Sequence, residues 1–366
     1  MSRLSFAAIV PVWLASCLLC FAHDGEDHSQ VTPEGVAGGM DDGWTSGDGS
    51  LRFEVLYTRE HLPDQAQAVA ENLHGGFGVD RREGHGETYF AAPGAGIIRL
   101  SADLGKAELI ATDSEMRDAN MHNATVWVGA DGAAYVTYPG NAIGKVFTTT
   151  TDGALLHTLS TPGAGQAFDD KTVSAYFAGD GGFVPTDTDY RDGTLYVTTG
   201  YSALDYVLTA SVDHGEGVGI AWTPHAFGGR GDGAGQFGTG HGVTISADGS
   251  EVHISDRPNG EIDRFTPDGR YRSTLSLPEG AWPADIDYEG EYAVVGCLFG
   301  LDREKGAPIY ILKNGEVVST IWPKDEMGLG TFQHIHDAVI REVDGVLYII
   351  AQAWNPGDFV VLRQVM

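Results

Sequence analysis

The chain has 366 residues, 51 of them glycine, with 20% charged residues, a formal net charge of −29 and three cysteines. A polyanion of this kind lacks the basic footprint that a phosphate backbone requires, which argues against nucleic acid as a partner; the acidity bears on solubility rather than on a substrate. The glycines, the Val/Thr/Tyr-rich runs and the near absence of sustained helical periodicity point to an all-β protein of short strands and tight turns.

At the N-terminus, Arg3 precedes an apolar run over residues 4–22 that ends abruptly at the acidic His23-Asp24-Gly25-Glu26-Asp27-His28. This is the pattern of a signal peptide over residues 1–22, and it implies export to a periplasmic or extracellular space. Two cleavage readings stay open. Cys20-Phe21-Ala22 suits an ordinary signal peptidase, whereas Leu14-Ala15-Ser16-Cys17 resembles a lipobox that would leave a lipid anchor on Cys17, the one route to a membrane. Removing the signal takes away Arg3 and no acid, so the mature chain is slightly more negative still. Cys17 and Cys20 lie in the export signal, which leaves Cys297 alone in the folded body and no intrachain disulfide framework. Residues 23–50, rich in Gly, Asp, Ser and His, hold too few aliphatic side chains to offset the entropy of ordering, and are expected to be a disordered acidic leader.

Beyond residue 74 a unit recurs: apolar strand, tight turn, second apolar strand, polar loop, third strand. The turns fall at Gly86-Glu87, Asp131-Gly132, Asp192-Gly193, Asp248-Gly249, Glu289-Gly290 and Asp344-Gly345. Their spacing of roughly forty to sixty residues matches a four-stranded propeller blade with extra length in the loops. Six copies predict a six-bladed β-propeller over residues 51–366, expected to be a monomer. The last copy lacks a fourth strand, while residues 51–57 form a strand without a blade. Pairing them closes the ring and removes an exposed sheet edge.

Residues just before an innermost strand face the central channel, so equivalent positions in different blades converge there. Histidine stands near that position in Met121-His122-Asn123-Ala124, Gly240-His241-Gly242-Val243, His334-Ile335-His336-Asp337 and Leu73-His74-Gly75-Gly76. His122, His241 and His336 are the expected zinc ligands, because three neutral imidazoles leave a fourth position open for a hydroxyl whose pKa the metal lowers. His334, two residues before His336, is not expected to be a ligand. His74 is expected to be structural, and Trp222, Trp282 and Trp354 to pack the blades.

Gly240-His241-Gly242-Val243, Asp248-Gly249 and Ser255-Asp256-Arg257-Pro258-Asn259-Gly260, with Pro185-Thr186-Asp187 and Thr199-Gly200-Tyr201, resemble peptidyl-α-hydroxyglycine α-amidating lyase, an NHL-type six-bladed propeller. The resemblance covers about residues 74–364. It implies zinc on His122, His241 and His336, Tyr201 as general base and Arg257 near the substrate. It further implies a calcium ion held by the backbone carbonyls of Phe77 and Ala124 and by Asp337, a donor set suited to a hard cation. The implied reaction breaks the C–N bond of a peptide C-terminal α-hydroxyglycine, giving a peptide amide and glyoxylate. Two features depart from the family. Its first-blade arginine is absent, the sequence reading Ala91-Ala92-Pro93-Gly94, with Arg81, Arg82 and Arg230 as candidate replacements; and Ser202 follows Tyr201 where the family has a cysteine.

Two other function classes compete. One is a non-catalytic extracellular propeller that binds a protein or glycan partner and keeps a structural metal. The other is a lactonase-like hydrolase, against which the three-histidine set counts, since such propellers gather carboxylates and Asn around calcium. Fold alone does not choose among them.

Overall fold

The computed structural model describes residues 44–215 and 217–365. The signal peptide, the lipobox cysteine and residues 23–43 of the leader lie outside the described residues.

Six antiparallel sheets form the six blades, five of four strands and one of five. Blade 1 comprises Gly78–Val79, Thr88–Ala92, Gly96–Leu100 and Ala107–Leu109. Blade 2 comprises Thr125–Val128, Ala134–Gly140, Lys145–Thr150 and Leu155–Ser160, and blade 3 Asp187–Arg191, Thr194–Thr198, Tyr206–Asp213 and Gly219–Gly228. Blade 4 comprises Gly240–Ile245, Val252–Asp256, Glu261–Phe265 and Tyr271–Ser276, and blade 5 Trp282–Glu289, Tyr292–Phe299, Ile309–Lys313 and Glu316–Ile321. Every turn predicted from the repeat lies between the first and second strand of its blade. At Asp192-Gly193 and Asp344-Gly345 both residues have positive φ (46° and 82°, 52° and 78°), the left-handed pair that a two-residue hairpin needs to match strand twist.

Blade 6 is built from both ends of the described chain. Ile335–Val343, Val346–Ala353 and Asp358–Gln364 are joined by Leu51–Thr58, with Val55 opposite Leu362. The closing strand thus pairs as predicted. The boundary of the leader is corrected: Thr45–Asp48 form a fifth, outermost strand in register with Leu51–Thr58. Little apolar burial holds it. Instead the Ser46 hydroxyl donates to Glu326 at 2.6 Å and accepts from the Trp322 N–H at 2.8 Å, and the Asp48 N–H donates to Ser319 at 2.8 Å.

The hydrophobic core lies between neighbouring sheets rather than at the axis. Phe53, Ile309, Ile340 and Leu362 fill the space between blades 5 and 6, and Phe77, Phe90, Ile350 and Phe359 that between blades 6 and 1, all buried. Side chains alternate along each strand, so both faces of every blade are apolar and only the innermost strands turn an edge toward the channel. Cys297 is a buried free thiol. Among the described residues no helix is long and apolar enough to cross a membrane.

Candidate metal centre

The innermost strand of each blade has one edge paired to its own sheet and one facing the channel, so its polar groups need partners from the neighbouring blade. At one level of the channel histidines supply them. The imidazole Nδ1–H of His122 (blade 2) donates to the Thr186 carbonyl at the head of blade 3, at 2.7 Å. That of His241 (blade 4) donates to Ala284 O in blade 5 at 2.7 Å, and that of His336 (blade 6) to Gly75 O before blade 1 at 2.9 Å. Even-numbered blades provide imidazoles and odd-numbered blades carbonyls, giving pseudo-threefold order. A carbonyl can only accept, so each ring carries its proton on Nδ1 and keeps a lone pair on Nε2, the tautomer a metal ligand requires.

The Nε2 atoms of His122 and His336 stand 3.0 Å apart. The His241 ring lies 4.8 and 5.0 Å from theirs by centroid, and its Nε2 is buried with no hydrogen-bond partner. All three side chains are essentially inaccessible. Burial, then the Arg257 charge and the other imidazoles, holds His241 well below the ordinary histidine range, and burial followed by His122 and His74 does the same for His336. These rings are neutral. An orphaned buried nitrogen on a ring 4.8 and 5.0 Å from two other imidazoles fits a cation, and three imidazoles fit zinc.

His74, also near the channel-facing position in the sequence and expected to be structural, stands with the others: its ring is 4.5 Å from His336 and 5.0 Å from His122, and its ligand nitrogen lies within 4.8 Å of theirs. Trp354, expected to pack a blade, stacks on His74 at 5.2 Å. His334 is hydrogen-bonded to the Trp354 carbonyl at 3.2 Å and set against Phe299.

Tyr201 follows strand Thr194–Thr198 in a turn closed by Ser202 N–H to Thr199 O at 2.7 Å. Gly200 is required there, because a Cβ would sit 2.5 Å from Gly240 O. The turn lays the Tyr201 ring against His122 (5.1 Å) and His241 (5.6 Å), and Arg257 Nη1 donates to its hydroxyl oxygen at 2.7 Å. Arg257 is 2% exposed. Its neighbour Asp256 accepts the Gly238 and Thr239 N–H groups, both at 3.0 Å, and so locks the approach to His241. Ser202, in the cysteine position, accepts the Val184 N–H at 2.9 Å.

Deeper in the channel the residues one step beyond the histidine level are carboxylates. Asp187 accepts from Val243 N–H and Asp337 from Phe77 N–H, each at 2.8 Å, while Asp285 accepts from Thr244 Oγ1 at 2.9 Å. Each ties its strand to a neighbouring blade. A cavity of about 220 Å³ opens here, lined by Phe77, Ala124, Asp187, Asp189, Asp285 and Asp287. Burial and then mutual repulsion raise Asp187 and Asp285 well above the carboxylate range, and burial pushes Asp337 up to about 7.

His122, His241, His336, Tyr201 and Arg257 are therefore gathered at one level, with Phe77, Ala124 and Asp337 around the next. Of the three candidate arginines, Arg81 is held by Asp287 and Glu289 at the cavity level and Arg82 by Asp80. Arg230 reaches the Ser202 carbonyl at 3.4 Å, beside Tyr201.

No protein-family model matches the sequence, and no curated protein matches it. Among solved structures the chain is similar to virginiamycin B lyase from Staphylococcus aureus, at 13% identity and a TM-score of 0.48 over 83% of this chain and 98% of that one. It is similar to a streptogramin B lyase at 12% identity and 0.48 over 88% and 100%, and to a chain of a nidogen/laminin complex at 13% and 0.47 over 77% and 94%. At these values the likeness decides nothing about activity, and the propeller stands on the chain's own six sheets.

Proposed function

We propose that the protein is an exported zinc-dependent lyase that cleaves the C–N bond of a peptidyl-α-hydroxyglycine, or a related carbinolamide, to an amide and glyoxylate. The observation that carries this reading is the convergence of three Nε2 lone pairs, each oriented by a carbonyl from the next blade, beside a Tyr201 hydroxyl held by Arg257. His122, His241 and His336 would hold the metal. Zinc, when bound, supplies a Lewis-acidic position that acidifies a hydroxyl placed on it.

The rest is done by side chains. Arg257, donating to Tyr201 Oη, favours the phenolate, the form that can accept the carbinol proton. Tyr201 takes the proton from the carbinol oxygen, the C–O bond becomes a carbonyl, and the C–N electron pair leaves on the amide nitrogen. That nitrogen needs one proton, the one Tyr201 has just accepted, so a single group serves both ends of the cleavage. Arg230 is the cation best placed to take over the carboxylate contact for which the first blade, with Ala91 and Ala92, has no side chain. The Phe77 and Ala124 carbonyls with Asp337 would hold a calcium ion that offsets the repulsion within the carboxylate layer.

Glyoxylate release from a benzoylated α-hydroxyglycine tests the reading. Zinc-loaded protein is expected to be active, and Tyr201→Phe to keep its zinc while losing about 10²–10⁴-fold in kcat. Full activity of Tyr201→Phe refutes the assignment. The second reading, a binding propeller with a structural metal, is favoured by the presence of His74 as a fourth imidazole at the axis. Stoichiometric zinc with no glyoxylate from the wild type supports it.

A further inference from the structure

Four imidazoles meet where an open zinc site has room for three. Their second nitrogens separate them. In His122, His241 and His336, Nδ1 faces a carbonyl and must donate, which leaves Nε2 as the lone pair. In His74, Nδ1 lies 3.0 Å from the side-chain amide nitrogen of Asn120, a group with protons to give and no lone pair to accept with. The same Asn120 nitrogen also lies 3.2 Å from Asn141 Oδ1, to which it donates in this amide orientation. His74 Nδ1 is therefore an acceptor, and the proton of the neutral ring sits on Nε2.

Register tells the same story. The carbonyl partners Thr186, Ala284 and Gly75 occupy equivalent places at the heads of blades 3, 5 and 1. His74 precedes Gly75, so it enters one residue nearer the channel mouth than the ligand level. Its approach is braced: Gly75 N–H donates to Gln352 Oε1 at 3.1 Å, a Cβ at Gly75 would meet Met121 O at 2.9 Å, and Trp354 stacks on the ring.

We infer that His74 is not a fourth ligand but a fixed hydrogen-bond donor, presenting Nε2–H to an oxyanion bound at the open metal position. This rests on the zinc reading above and deepens it. A carboxylate or alkoxide oxygen would lie between the metal and this N–H, so His74 supplies part of the anion recognition that the arginine-free first blade lacks.

The test uses the full mature chain loaded with zinc or cobalt(II), with acetate as the oxyanion probe. Wild type, His74→Ala, His74→Gln and His241→Ala are compared by metal analysis, cobalt(II) absorption and metal-edge X-ray absorption. The wild type is expected to hold one metal with three imidazoles. His74→Ala should keep the metal and its unliganded spectrum but bind acetate about 10–100-fold more weakly, the loss of one charge-assisted hydrogen bond. His74→Gln, which restores an N–H, should recover part of that loss, and His241→Ala should lose the metal. Four imidazoles in the wild type, metal loss on His74→Ala, or unchanged acetate affinity overturns the inference while leaving zinc binding intact. A wild type that binds no metal overturns the zinc reading itself, and this with it. The wild-type imidazole count stands even if a variant fails to fold.

Discussion

Asp205 shows how much a single buried group near the axis costs. Its side chain is inaccessible, with Oδ1 accepting the Gly240 N–H at 3.0 Å and Oδ2 left without a partner. Burial pushes its pKa up to about 7, against smaller opposing pulls from the Gly240 N–H and then the Arg230 charge. The folded state therefore holds this proton more tightly than the unfolded chain. Its contribution favours folding at low pH, declines as pH rises from about 4 to 7, and is a constant penalty above that. Asp205→Asn keeps the Oδ1 acceptor, tolerates the positive φ of 52°, and removes the charge. It is expected to be on the order of 1–3 kcal/mol more stable than the wild type at pH 8 and indistinguishable near pH 4, measured by denaturant midpoints across pH. A wild-type stability flat over that range counts against the buried-carboxyl account. At the same scale, His122→Ala should abolish stoichiometric zinc binding, because it removes one of the three proposed ligands.

At the scale of the element, the innermost strand is the unit that positions chemistry. Six such strands are held together across the channel by side chain to backbone bonds rather than by sheet pairing. Gly242 is a point of close approach between two of them: a Cβ there would lie 2.4 Å from Asp285 Oδ1 and 2.7 Å from Ala284 O. Ala284 O is also the acceptor that orients His241. Gly242→Ala must push blades 4 and 5 apart at the point that sets a ligand's tautomer. Zinc affinity is expected to fall about 10–100-fold although Gly242 offers no ligand atom, the size typical of a disturbed outer-shell contact. Competition against a chromophoric chelator measures it, and an unchanged affinity would show that the histidine is oriented by other means.

For the whole molecule, closure is the controlling event. Leu51–Thr58 is the fourth strand of a blade whose three inner strands lie some 300 residues away in sequence, and it covers the edge of Asp358–Gln364. Phe53 on that strand is fully buried between blades 5 and 6. Phe53→Ala should cost about 3–5 kcal/mol as a core truncation. A chain that begins after Thr58 should do worse than the point mutant. It exposes a long apolar strand edge and loses the contact that holds the ring shut, so self-association at micromolar concentration is expected by light scattering. A monomeric, cooperatively folding truncated chain would show that the ring closes without its latch.

Periodicity alone established the six blades, because each blade is a local unit whose turn chemistry recurs at Asp131-Gly132, Asp192-Gly193, Asp248-Gly249 and Asp344-Gly345. It also established the closing strand, since a missing fourth strand and a spare one are visible without coordinates. His122, His241 and His336 were legible for the same reason: matching positions in a repeat are matching positions in space. Other features were not. Thr45–Asp48 holds its place by pairing and by Ser46 and Asp48 contacts, and leaves no apolar signature. The helix Lys171–Ala178, capped by Asp170 and buried through Val173 and Phe177, sits in a loop outside the repeat. His74 stands one residue out of register, so its place at the axis depends on how a non-repeating loop is pinned by Gln352 and Trp354 from the far end of the chain. The sequence by itself determined what lies within a blade, where contacts are short-range and repeat. Only the tertiary structure decided what passes between blades: the carbonyl behind each imidazole, the arginine on Tyr201 and the fourth histidine. Those distances are set by ring closure, which no single repeat encodes.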